Sequence, residues 1–96
     1  MSVLFDERVL STLAVRLLRA GREAWESDGV LHVRLPLSAI LRVHGPWVTP
    51  AGYARFDVTV VEESDGQADF VETVMMREAD SAALLARVIG AADRVA

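Results

Sequence analysis

The tetrapeptide Glu-Ser-Asp-Gly occurs twice, at residues 26–29 and 63–66, and alternating or β-rich sequence follows each copy. Asp-Gly accepts the positive φ angles of a tight turn, so each copy predicts a hairpin and the pair commits much of the chain to antiparallel pairing. Outside the tetrapeptides the flanks do not match, which points to shared turn chemistry and not to an internal repeat.

Side-chain faces decide the register at the second turn. A two-residue Asp65-Gly66 loop would set Val58 opposite Thr73 and Phe56 opposite Met75, mixing polar and apolar residues on both faces. A three-residue loop, Ser64-Asp65-Gly66 with Gly66 left-handed, sets Ala54 opposite Met76, Phe56 opposite Val74 and Val60 opposite Phe70. That register predicts an apolar face of Ala54, Phe56, Val58, Val60, Phe70, Val74 and Met76. The other face then carries Tyr53, Arg55, Asp57, Thr59, Asp69, Thr73 and Arg77, with Val61, Val71 and Met75 among them. Glu72 is the misfit, because it falls on the apolar face opposite Val58, where a carboxylate needs an arginine or water.

The first hairpin is shorter. Trp25 is expected opposite Leu31 and over the edge of the core, and Leu31, Val33 and Leu35 alternate with His32 and Arg34 until Pro36 interrupts the ladder. Residues 37–43 are too short to assign by period and read as a strand or a helical turn. From His44 to Gly52 two prolines and two glycines predict a stiff loop.

Helices are expected at both ends. With Asp6 as N-cap and Phe5 and Leu10 in staple positions, a helix over Glu7–Ala20 gathers Val9, Leu10, Leu13, Leu17 and Ala20 on one stripe, and Gly21 stops it. The opposite side collects Arg8, Arg16, Arg19 and Arg22, a solvated face or a docking stripe for an acidic partner. A second helix, capped by Asp80 or Ser81 and running to about Arg94, turns Leu84, Leu85, Val88, Ile89, Ala92 and Val95 inward. The whole predicts a single α+β domain over residues 1–96. It would be an antiparallel sheet of four or five strands with an N-terminal and a C-terminal helix packed on one face.

Composition narrows the chemistry. The 96 residues are 52% hydrophobic and 25% charged, too apolar for disorder and too regularly charged for a membrane span. No cysteine is present, which removes disulfides and thiol chemistry. All ten basic residues are arginine, the composition of a GC-rich bacterial or phage genome. The first residues carry acids and no signal-type apolar run, so a cytoplasmic location is expected. Eight of the acids lie between residues 57 and 80 and the net charge is −4, a balance that disfavours nucleic acid as partner.

Catalytic and cofactor patterns are missing from the chain. His32 and His44 have neither the helical spacing nor the His-x-Glu context of a zinc site. Residues 61–72 imitate a calcium loop at Glu63, Asp65, Gly66, Asp69 and Glu72, but Val61 stands at the first ligand position. Gly-x-Ser-x-Gly, Walker A and Gly-x-Gly-x-x-Gly do not occur, and no cofactor or metal is expected.

What remains is a non-enzymatic protein-protein interaction module: a small acidic regulator, inhibitor or assembly subunit, expected as a homodimer or against a basic protein surface. Its expected contacts are the open sheet face and the loop at Trp47 and Tyr53, with Arg55, Asp57, Met75 and Arg77, and the acidic Glu62, Glu63, Asp65 and Asp69. Trp47 is either an anchor or a lid over the sheet end. The alternative is a small-molecule pocket or enzyme in which Glu72 meets His32, His44 or Arg34. A third reading, nucleic-acid contact through Arg8, Arg16, Arg19 and Arg22, is opposed by the net charge.

Overall fold

A computed structural model describes residues 8–64 and 66–95. Helix α1 (Val9–Arg19) is followed by strands β1 (Ala24–Ser27), β2 (Val30–Leu35), β3 (Ala39–Val48), β4 (Ala54–Glu62) and β5 (Ala68–Met76), and α2 (Ser81–Val95) ends the order. The five strands form one antiparallel meander, each lying beside its sequence neighbours. Both helices pack against the same face, so the expected α+β arrangement is the observed one.

Sequence explains most of this locally. The α1 stripe of Val9, Leu10, Leu13 and Leu17 is buried, joined by Ala14, whereas Ala20 lies exposed. At its end Gly21 takes φ 83, the Arg22 N–H donates to the Leu17 carbonyl and the Gly21 N–H to that of Leu18, a Schellman closure. The expected Asp6 cap lies outside the described residues. At α2 the Asp80 carboxylate accepts the Ala82 N–H at 2.9 Å, which makes Asp80 the cap. Leu84, Val88, Ala91 and Ala92 of α2 meet Phe56, Val58 and Val74 in the core.

Four expectations are corrected. Asp28-Gly29 is a two-residue loop with φ 53 and 76, so Trp25 pairs with His32, one place from the expected Leu31. Trp25 therefore lies on the face away from the helices, with His32, and does not cover the core edge. Residues 37–43 belong to a strand apart from the turn at Leu37 and Ser38, and that strand continues through His44 to Val48, most of the expected loop. It passes a bulge between His44 and Trp47 that contains the cis Gly45–Pro46 bond. Finally, β4 and β5 pair as expected at Ala54–Met76, Phe56–Val74 and Val58–Glu72, but Val71 is bulged out of the ladder and Thr59, not Val60, faces Phe70.

Candidate functional site

Those two bulges determine what the open sheet face displays. Side chains alternate along a strand, so an extra residue moves everything beyond it to the other face. His44 lies on the open face, and by alternation Trp47 would point to the helices. The extra residue at Gly45-Pro46 instead sets Trp47 opposite Arg55 on the open face. In β5, Glu72 faces the helices and Phe70 would join it, but the bulge at Val71 places Phe70 beside Thr59 on the open face. Trp47 is 43% exposed, Phe70 65% and Met75, across from Arg55, 53%.

The polar groups of this face are arranged in cross-strand rows. One row runs Trp25, His32, Arg42, Thr59, Phe70 from β1 to β5, and the next holds Val30, His44, Asp57 and Thr73. Trp25 stacks on His32 with ring centroids 5.3 Å apart, and the Arg34 guanidinium sits 5.4 Å from its centroid. Arg55 lies 4.9 Å from the Trp47 centroid. His44 Nε2 and Thr59 Oγ1 share a hydrogen bond of 3.3 Å, and Thr73 donates to Asp57 at 3.1 Å. Asp57 also faces Arg55 at 3.7 Å, while Arg34 pairs with Glu23 at 3.0 Å and Glu63 at 3.4 Å.

Glu72 does not meet His32 or His44, because the sheet separates them; the cavity that Glu72 does line, of about 460 Å³, is shared with Ala86, Arg87, Gly90 and Arg94. Glu72 faces α2, where Arg87 donates to its carboxylate at 2.8 Å and Arg94 pairs with the other oxygen. The Arg87 hydrogen bond holds the Glu72 carboxyl below its ordinary value, aided by both guanidinium charges and opposed by burial. A structural ion triad satisfies the one misplaced carboxylate. His32 and His44 instead line a separate cavity of about 220 Å³ on the open face with Ser27, Asp28, Val30 and Arg42. Burial, then Arg42 and His44, hold the His32 imidazole below its ordinary value, against a hydrogen bond with the Ser27 backbone and the charge of Asp28.

The remaining candidates scatter. Trp47, Arg55, Asp57 and Met75 share the open face. Glu62, Glu63 and Asp69 are exposed toward the β4–β5 turn, Arg77 is exposed just past β5, and Asp65 is outside the described residues. Tyr53 is half-buried at the entry to β4, its N–H donating to Thr49 Oγ1 at 3.0 Å. Two members of the arginine stripe are turned to α2: Arg16 donates to Ser81 at 3.0 Å and Arg22 pairs with Asp93.

Trp25, Arg34, Arg42 and Phe70 were missed as members of this face. Reading residues 39–48 as one strand would have aligned Arg42 with His32, whereas a single-residue bulge at Val71 leaves no periodic signal. Among the described residues no group of three His, Asp or Glu side chains could hold a metal ion, and no helix is long and apolar enough to cross a membrane. No protein-family model, no curated protein and no solved structure matches the chain.

Proposed function

We propose that this chain is a non-enzymatic interaction module whose open sheet face docks another protein. The observation that carries the reading is the pair of bulges, each of which moves one aromatic side chain, Trp47 or Phe70, from the helix-covered face to the uncovered one. A bulge interrupts the ladder, and exposed aromatic surface has no benefit to folding; both are explained if the aromatic residues meet a partner.

The chemistry of the partner follows from charge. Arg34, Arg42 and Arg55 with two histidines share this face, whose central rows contain one carboxylate, Asp57. Arg34 is matched by Glu23 and Glu63 and Arg55 by Asp57, so among the described residues Arg42 is the unpaired arginine of these rows. Packing two copies face to face, as a homodimer would, offers it no carboxylate of the central rows but Asp57, already paired with Arg55. The acids expected to meet a basic surface lie elsewhere, and Glu63 is already engaged by Arg34. A different protein with an acidic, partly apolar surface fits the face better, encountered in the cytoplasm and regulated or inhibited by occlusion.

The test is affinity capture at low salt, followed by reconstitution with the purified partner. Phe70→Asp and Arg55→Glu should each weaken the reconstituted complex by about tenfold or more while leaving the melting temperature nearly unchanged. Binding should also fall as salt rises. A complex indifferent to both substitutions, or a wild-type homodimer that they dissociate, would overturn the acidic-partner reading.

A further inference from the structure

Two arginines of the open face have their charge matched: Arg34 by Glu23 and Glu63, Arg55 by Asp57. Arg42, near the centre of the sheet on β3, is different. It is half-buried, its Nε is fully buried without a hydrogen-bond partner, and it makes no ion pair among the described residues. Withdrawing a guanidinium from water without an anion is expensive, and structures with such a group usually complete it with a ligand or water.

The surroundings of Arg42 increase the imbalance. Its cross-strand neighbours are His32 on β2 and Thr59 on β4, and His44 follows two places along on the same face. His44 is tied to Thr59 through Nε2, and His32 stacks on the Trp25 ring and hydrogen-bonds the Ser27 backbone. Neither imidazole is held by a carboxylate among the described residues. Asp28, in the β1–β2 turn, is the one carboxylate in the cavity lining. Asp57, beside His44, has its Oδ1 engaged by Thr73 and Arg55.

We propose that the His32–Arg42–His44 cavity binds an oxyanion, a carboxylate or phosphate group, with Arg42 as its charge partner and the imidazoles as hydrogen-bond donors. The cavity, about 220 Å³ and open to solvent, holds one such group and lets the rest of a larger molecule extend over Val30. This goes beyond the docking reading, because a free small anion completes the site as well as an acidic side chain of a partner.

The experiment follows the imidazole ¹H–¹⁵N signals of the full chain at constant pH and ionic strength. One arm adds inorganic phosphate against a chloride control; the other adds an acetylated tetraglutamate peptide. The expected result is saturable movement of the His32 and His44 signals in at least one arm, with chloride inert. Arg42→Gln should weaken this by about tenfold or more, the scale of one charge-assisted pair. His32→Gln, a change at a half-exposed side chain, should weaken it severalfold and serves if Arg42→Gln does not fold. Saturation by phosphate alone identifies a free anion as the source, and tighter saturation by the peptide identifies a carboxylate carried on a partner. Linear shifts, shifts matched by chloride, or variants that bind like the wild type would overturn the site. Phe70 and Arg55, the test positions for docking, are outside the cavity lining, so either proposal can fail alone.

Discussion

Leu37 occupies the tip of the β2–β3 turn at φ 62, with Ser38 beside it at φ 60, and its side chain is 96% exposed. A bulky residue in the left-handed region crowds its Cβ against the backbone, whereas asparagine accepts that region readily. Leu37→Asn should therefore stabilise the fold by about 0.5–1 kcal/mol, a rise of a few degrees in melting temperature. An unchanged or lower melting temperature would mean that the turn holds no such strain. The phenylalanines of β4 and β5 make a sharper contrast. Phe56 is fully buried and Phe70 is 65% exposed. Urea unfolding should show a loss of about 3–5 kcal/mol for Phe56→Ala and under about 0.5 kcal/mol for Phe70→Ser. A large loss at Phe70 would place it in the core and remove the bulge on which the docking face depends.

At the scale of elements, the β3 bulge has a specific structural requirement. Gly45 takes φ 123, and a Cβ there would stand 2.6 Å from the Arg55 carbonyl oxygen, a backbone atom of the neighbouring strand. Gly66, at φ 69, has nothing within 4 Å of the same position. Both alanine substitutions incur the left-handed penalty, but only Gly45→Ala adds a clash. Chemical denaturation should thus give about 1 kcal/mol for Gly66→Ala and clearly more, about 2 kcal/mol or above, for Gly45→Ala. Equal losses would count against the close approach of β3 and β4. Bulges also mark where the sequence stops being legible. Alternation correctly paired Phe56 with Val74 and Val58 with Glu72 and foresaw that Glu72 needs an arginine or water, because each inference needs only the local period of two. It failed at Phe70 because one bulged residue shifts the frame without altering composition. It failed at His44–Val48 because Gly-Pro reads as a chain breaker when it is a strand irregularity. The open face was anticipated as a surface, but its charge was not, since Arg42 meets His32 only once both hairpins have been registered.

For the molecule as a whole, polar links tie separate elements together and make stability depend on pH. Glu72 joins β5 to α2 through Arg87 and Arg94, and Arg22 joins the end of α1 to α2 through Asp93. The folded Glu72 carboxyl is held below its ordinary 4.5, so its contribution is complete above that value and lost as pH falls through the lower folded one. His32 is held below its ordinary 6.5, which means that the unfolded chain accepts a proton that the folded chain resists. Stability therefore begins to fall as pH drops below 6.5, and this loss stops growing once folded His32 is itself protonated. Both effects have the same sign and occupy different windows. Urea midpoints measured across the acid range should decline in two stages, with His32→Gln flattening the upper and Glu72→Gln the lower. Phosphate should shrink the upper stage alone, because an oxyanion beside Arg42 favours the imidazolium that burial otherwise disfavours. A midpoint that is flat between neutrality and the carboxylate range, or a phosphate effect that persists in Arg42→Gln, would break the link between His32, Arg42 and the bound anion.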